Sequence, residues 1–168
     1  MQPRTLEDAK KISNRISSSL RVFVVAFFFV AAPPASAQDA AVRQTFDRYI
    51  ESVNGADLTI ASQIWSHTTD VIVVTPFGRF AGWDAVQKSV YVDFLKNSFT
   101  ERKLQPSNVA VVVNGDTAWL TFDWTFSGKM TANGQTIASK GWESHVYRKG
   151  RDGWRIVQLH YSVPPPPQ

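Results

Sequence analysis

The residues with the strongest case for chemistry lie near the carboxyl end of the chain, in two segments where apolar and polar residues alternate. Glu143 and His145 are two positions apart, and Tyr161 belongs to the second segment. Side chains two positions apart in a strand project from the same face, so Glu143 and His145 can enter one pocket. Either group can carry a proton near neutral pH, and Tyr161 or Tyr147 can donate to a developing oxyanion. The set predicts acid-base chemistry; the alternative is that His145 is only a hydrogen-bonded strand residue.

Other polar residues fit a structural role better. Asp123 falls opposite the apolar positions of its strand, which predicts a solvated carboxylate. His160 alternates with Tyr161, so it belongs to the opposite face, which we expect to pack against a second subunit. A metal site would need His67, His145 and His160 to converge, and no close-spaced ligand pair supports one. The glycines lack the spacing of a phosphate or dinucleotide loop. We therefore expect neither a metal nor a cofactor.

The elements that must position these residues begin with four strands in the last third of the chain. Asn114-Gly115 and Asn133-Gly134 tolerate the positive φ of tight hairpin turns. Between them, apolar residues at every second position predict one buried face. The four runs therefore predict an antiparallel meander. They cover residues 109–113, 117–126, 136–148 and 154–162.

The preceding part of the chain predicts three helices and a short strand. Apolar residues recur at helical spacing in residues 40–53, Asp57 can cap a second, shorter helix, and residues 83–96 carry a third apolar stripe. Residues 71–75 read as a strand, and residues 76–82 as a turn or mobile flap. The order predicts an α+β fold: a cone-shaped, curved antiparallel sheet with about three helices packed on its concave face. Such a cone encloses a pocket, a usual place for a ligand.

The amino terminus resembles a secretory signal peptide. An uninterrupted apolar run at residues 22–32 follows Arg15 and Arg21 and precedes Ala35-Ser36-Ala37. The run is shorter than the roughly 20 residues that cross a bilayer. We therefore predict a leader at residues 1–37, one domain at residues 38–163 and a proline-rich tail at residues 164–168. The protein would be periplasmic or secreted, with no stable membrane span after cleavage.

The amino-acid composition argues against nucleic acid as a partner and excludes cysteine chemistry. The leader holds five of the 18 Lys and Arg residues and two of the 14 Asp and Glu residues, which leaves 13 against 12 in the remainder. A nearly neutral chain lacks the charge that drives nucleic acid binding. The chain has no cysteine, so thiol chemistry is excluded and stability must come from packing.

Several motifs resemble one known family. Trp83-Asp84-Ala85-Val86 after Gly82, the turn Asn114-Gly115-Asp116 and the ending Arg151-Asp-Gly-Trp-Arg-Ile-Val-Gln-Leu-His-Tyr-Ser162 are similar to the SnoaL-like group of the nuclear-transport-factor-2-like (NTF2-like) superfamily. That superfamily includes ketosteroid isomerases, cyclases, dehydratases and the hub domain of calmodulin-dependent kinase. The hub's pocket arginines correspond to Trp124, His145 and Tyr161. The resemblance therefore implies a similarly placed pocket without its carboxylate-binding chemistry.

These observations lead to three hypotheses of function. The first is an exported protein that binds a small, mostly apolar molecule in the cone. The second is an isomerase, cyclase or hydratase that uses Glu143, His145 and Tyr161. The third is a structural dimerisation module, and exposed Trp119 and Trp154 predict a homodimer through the sheet face. The predicted pocket residues are Tyr49, Trp65, Phe77, Trp83, Trp124, His145 and Tyr161.

Overall fold

The computed structural model describes residues 35–165. The predicted leader lies outside this range except for its last three residues, which begin the first helix, and residues 166–168 of the predicted tail lie outside it as well. Three helical segments accompany six strands. In chain order they are α1 (Ala35–Gly55), α2 (Leu58–Ile64), β1 (Ile72–Thr75), β2 (Gly78–Ala81), α3 (Trp83–Ala85) continued by a π-helix (Val86–Lys96), β3 (Phe99–Asn114), β4 (Thr117–Met130), β5 (Thr136–Gly150) and β6 (Gly153–Ser162).

The strands form one curved, open sheet in the order β2-β1-β6-β5-β4-β3. The predicted meander from β3 to β6 is confirmed, since each of these strands pairs antiparallel with the next. One pairing differs from the predicted antiparallel arrangement: β1 pairs parallel with β6, so the sheet is mixed. The expected flap at residues 76–82 contains β2, which forms a hairpin with β1.

The facing of β6 changes at a β-bulge. The pairing of β5 with β6 skips Val157, which places an extra residue in β6. Trp154 and Ile156 therefore face the same side as Leu159, and all three are buried. The sequence analysis, which assumed strict alternation, had placed Trp154 on the outer face of the sheet that was predicted to contact a second subunit. That expectation was wrong, and Trp154 belongs to the core.

Two local features accompany the curvature of the long strands: a register shift in β3 and a glycine in β5. β3 carries a register shift between Ser107 and Ala110, where Asn108 has a positive φ of 54°. On β5, a Cβ at Gly141 would collide with the carbonyl oxygen of Ser162 and lie 2.7 Å from the ring of Trp124. Because only glycine permits this approach, Gly141 lets the end of β6 close against the bent sheet.

The helices cover the concave face, as the sequence predicted. Asp57 caps α2 through hydrogen bonds that its carboxylate accepts from the backbone N–H groups of Thr59 and Ile60, at 2.7 and 3.0 Å. α1 buries the residues that its helical spacing placed on one face. These are Val42, Phe46, Tyr49 and Val53. Across residues 35–165, none of the helices combines the length and the hydropathy that a membrane span requires.

The third helix differs from its prediction in geometry. Residues 86–96 form a π-helix, in which hydrogen bonds link residues five apart. Val86, Tyr91 and Leu95 are therefore the buried positions, at spacings of five and four. Val90 is only partly buried and Phe94 is exposed. The apolar stripe predicted in residues 83–96 thus contains all three buried residues, and the π-helical spacing leaves Phe94 exposed.

Candidate functional site

A cavity of about 500 Å³ lies between the concave face of the sheet and the helices that cover it. Pockets of 300 to 1,000 Å³ hold typical small ligands. Val73 on β1, Leu159 on β6 and the partly buried Val90 on the π-helix contribute to an apolar wall. Ten aromatic residues complete most of the lining: Tyr49, Trp65, Phe77, Phe80, Tyr91, Phe94, Phe99, Trp124, Phe126 and Tyr161.

Packing and hydrogen bonds between these rings fix the shape of the wall. Trp124 and Tyr161 meet edge to face with centroids 5.9 Å apart. The indole N–H of Trp65 donates to the hydroxyl of Tyr91 at 3.1 Å, and that hydroxyl lies 2.9 Å from the hydroxyl of Ser52. Burial raises the pKa of Tyr91 to about 12, so its hydroxyl stays neutral at ordinary pH. The π-helix is therefore anchored to α1 and to the residue after α2.

A buried hydrogen-bond chain begins at the cavity wall, with Tyr49 and Glu143, and continues behind the wall to His145 and Tyr147. The hydroxyl of Tyr49 donates to Oε1 of Glu143 at 2.6 Å. Nε2 of His145 lies 2.6 Å from the same oxygen, and its Nδ1 lies 2.8 Å from the hydroxyl of Tyr147. Glu143 is 6 % exposed and His145 is fully buried. The chain thus joins α1 to three residues of one face of β5.

One assignment of protons satisfies every contact in this chain. If Glu143 is a carboxylate and His145 carries its proton on Nε2, then Tyr49 and His145 both donate to Oε1, and Tyr147 donates to Nδ1. Burial, followed by the nearby charge of Glu143, raises the pKa values of Tyr49 and Tyr147 well above the usual tyrosine range. Both phenols therefore remain donors. The arrangement leaves a carboxylate at the wall of an apolar cavity.

The structure brings together most of the predicted site residues. Five of the seven predicted ligand-binding residues line the cavity, as does the predicted catalytic carboxylate. They are Tyr49, Trp65, Phe77, Trp124, Tyr161 and Glu143. His145 sits behind Glu143 and reaches the cavity only through that carboxylate. Trp83 is absent from the lining and stacks instead on His67, with centroids 5.0 Å apart.

The residues assigned structural roles lie away from the cavity. Asp123 faces the outer side of the sheet and accepts a hydrogen bond from Asn108 at 2.6 Å, which fits the predicted solvated carboxylate. His160 and His67 are exposed. Within the described range, no three His, Cys, Asp or Glu residues converge into a possible metal site.

Sequence reasoning missed part of the site. Tyr91 was not among the predicted pocket residues, although it lines the cavity and bridges Trp65 and Ser52. Tyr49 was placed in the pocket, but its bond to Glu143 joins residues 94 positions apart. A polar atom on an otherwise apolar helix face, as in Tyr49 and Ser52, was the available signal for such buried contacts.

Comparison with known proteins gives a consistent result. The model of the SnoaL-like domain family matches residues 42–166. A nuclear transport factor 2 (NTF2-like) superfamily protein from Salmonella enterica is 31% identical, with a TM-score of 0.76, and the match covers 79% of this chain and 95% of that one. No curated protein matches the chain.

Two more distant structures share the fold. A candidate dehydratase of the NTF2-like family from Streptomyces avermitilis has 19% identity and a TM-score of 0.70, over 78% of this chain and 99% of that one. The hexachlorocyclohexane dehydrochlorinase LinA-type3 from Novosphingobium barchaimii has 15% identity and a TM-score of 0.66, over 76% and 87%. At these identities the likeness concerns the fold alone.

Proposed function

Because the chain belongs to the SnoaL-like domain family of the NTF2-like superfamily, we propose that it binds a small, mainly apolar molecule in the cavity of its cone. The observation that carries the proposal is the lining: a space of about 500 Å³ walled by aromatic and aliphatic side chains, with Glu143 as its one charged group among residues 35–165. An apolar wall favours an apolar occupant, because both leave water when they meet.

A fluorescence titration with N-phenyl-1-naphthylamine, a neutral apolar dye, tests this proposal. Val90→Trp replaces a small aliphatic side chain of the wall with a bulky indole and should weaken dye binding by about tenfold, or roughly 1.4 kcal/mol. Val112→Trp makes the same substitution on the outer face of the sheet, where Val112 is exposed, and should leave binding unchanged. Equal dye affinity in both variants would place the binding site elsewhere.

A second candidate function is acid-base catalysis, favoured by the position of Glu143. Its carboxylate stands at the cavity wall, and His145 holds it from behind. Such a carboxylate can remove a proton from a bound carbon acid while a phenol such as Tyr161 stabilises the developing oxyanion. Two fold neighbours are named as a candidate dehydratase and a dehydrochlorinase. Elimination is therefore the first reaction class to screen.

Variants separate this reaction from simple binding. In a screen of alicyclic halides and β-hydroxy carbonyl compounds, Glu143→Gln should lower turnover by about 10²- to 10⁴-fold, because the amide cannot accept the proton. Asp123→Asn removes a carboxylate from the outer face and should keep full turnover. Turnover that survives Glu143→Gln would exclude Glu143 as the base.

We also propose that the protein is exported and forms a homodimer. The apolar run at residues 22–32 supports export to the periplasm or medium, and mass spectrometry of the mature protein should find an amino terminus at Gln38. Trp119 and Trp142 are 44 % and 53 % exposed on the outer face of the sheet, where Val112 pairs with Trp119. A broad apolar sheet face can serve as a self-complementary patch in a two-fold dimer.

A further inference from the structure

The cavity lining contains an acidic residue but no basic residue among residues 35–165. Glu143 lines it, whereas no Lys, Arg or His among residues 35–165 contributes to the lining. His145 lies behind the carboxylate and outside the lining. Tyr49 and Tyr147 next to this pair keep their protons. Among residues 35–165 the lining therefore presents one carboxyl group and no basic group, surrounded by aromatic side chains.

The carboxylate of Glu143 is only half satisfied. Oε1 receives both available donors, from Tyr49 and His145, each at 2.6 Å. Both hydrogen bonds of this carboxylate are made at Oε1, which leaves Oε2 available on the side chain that lines the cavity. A carboxylate oxygen that faces a cavity can accept a hydrogen bond from the molecule that fills it. For Oε2 of Glu143, that donor can be water or a ligand in the cavity.

We propose that this occupant is a lipophilic amine in its protonated form, an ammonium group carried on an aromatic or alicyclic body. The inference rests on the proposed binding function and names its ligand class. An ammonium N–H can donate to Oε2 of Glu143 in a charge-assisted hydrogen bond. The electron-rich faces of the surrounding Trp, Tyr and Phe rings attract the same cation. The apolar body of the ligand then fills the remainder of the cavity.

The composition of the lining also predicts the relative affinities of other ligand classes. A neutral alcohol can donate to Oε2, but it gains neither the ion pair nor the cation–π attraction. A carboxylate ligand would meet Glu143 and ring faces of the same sign, with no cation in the lining to compensate it. Ammonium, alcohol and carboxylate should therefore bind in descending order.

Isothermal titration calorimetry at neutral pH tests this order with three probes on one ring system: 1-naphthylmethylammonium, 1-naphthylmethanol and 1-naphthoate. The ammonium probe should bind at least about tenfold tighter than the alcohol, and the carboxylate at least about tenfold more weakly than the alcohol. This ranking is measured on the unaltered protein, so it does not depend on any variant folding. The matching phenyl series repeats the test with a smaller body.

Each outcome has a distinct meaning. An alcohol that binds as tightly as the ammonium probe, or a carboxylate that binds best, overturns the amine inference and leaves the proposed binding function standing. Failure of all six probes to bind refutes the binding function, and the inference with it. Loss of the preference for ammonium over the alcohol at both low and high salt overturns the inference.

Variants locate the preference. Glu143→Gln retains the acceptor for Tyr49 and removes the charge, so it should reduce the ammonium-to-alcohol ratio to within about twofold. Asp123→Asn removes one negative charge from the opposite face of the sheet and should keep the full ratio. A ratio unchanged by Glu143→Gln, or abolished by Asp123→Asn, would assign the preference to a different charge and overturn the inference.

Discussion

Replacing His145 by Leu should produce a large loss of stability that a second substitution partly reverses. His145 is fully buried and supplies one of the two donors to Glu143, while its other nitrogen lies 2.8 Å from Tyr147. Because Leu has a volume similar to that of His, the substitution should leave no large cavity. Its main effect is that Glu143 loses one hydrogen-bond donor and the Tyr147 hydroxyl loses its partner. Removing one partner of a buried pair costs about 3–5 kcal/mol. That is a large part of the roughly 5–15 kcal/mol that stabilises a typical domain.

Adding Glu143→Gln to the His145→Leu variant should then raise stability. The amide is neutral, so the desolvated charge disappears, and its oxygen still accepts from Tyr49. We expect the double variant to regain at least about 1 kcal/mol over the single variant. If the two positions did not interact, the stability losses of the two substitutions would add, and the double variant would be less stable than either single variant.

Urea unfolding followed by tryptophan fluorescence measures both steps. With an m value of roughly 1–3 kcal/mol/M, the single variant should lose more than about 1 M in its unfolding midpoint. Asp123→Asn in the His145→Leu background serves as the control, because it removes an outer-face carboxylate and should restore nothing. A double variant less stable than His145→Leu would show that Glu143 is not held as a charged group and would refute the reasoning.

Three further predictions follow from buried or exposed groups. Burial raises the pKa of Tyr91 from 10.0 to about 12, so the Tyr91 hydroxyl loses its proton at a higher pH in the folded state than in the unfolded state. The stability that follows from this difference is complete below pH 10 and is lost as the pH rises toward 12. Its size is about 1.4 kcal/mol per unit of pKa difference. Tyr91→Phe should flatten this alkaline decline in urea midpoints, and an unchanged slope would assign it to other groups. Gly141→Ala should lower the free energy of unfolding by about 1–3 kcal/mol, because the added Cβ clashes with Ser162. Gly150→Ala is the control: its Cβ would have its nearest contact at 3.9 Å, so the free energy of unfolding should change by less than about 0.5 kcal/mol. Similar melting temperatures in the two variants would contradict the close approach of β6 to Gly141. Trp119→Lys should convert the proposed dimer to a monomer in light scattering, and a monomeric unaltered protein would remove the dimer proposal.

Much of the fold could be predicted because its signals are local. Alternation and the Asn-Gly turns predicted the meander, and capping by Asp57 predicted α2. The parity of β5 placed Glu143, His145 and Tyr147 on one face, where the structure finds them in hydrogen-bond contact. Strand periodicity carries this information within a single segment.

The unpredicted features depend on contacts that no local pattern reveals. The parallel pairing of β1 with β6 joins residues more than 80 positions apart. The bulge at Val157 leaves no mark on the apolar pattern, so it reversed the expected facing of Trp154. The π-helix shifted the buried positions because its period differs from that of an α-helix. Trp83 likewise turns toward His67 and away from the cavity.

The most direct measurement of the central claim is a methyl NMR titration with N-phenyl-1-naphthylamine. Val73, Leu104 and Leu159 line the cavity, and Val112 is exposed on the outer face of the sheet. Binding inside the cone should shift the methyl signals of the three lining residues and leave those of Val112 in place. Saturation of the dye with shifts confined to Val112, or with no shift in any lining methyl, would contradict an accessible apolar cavity.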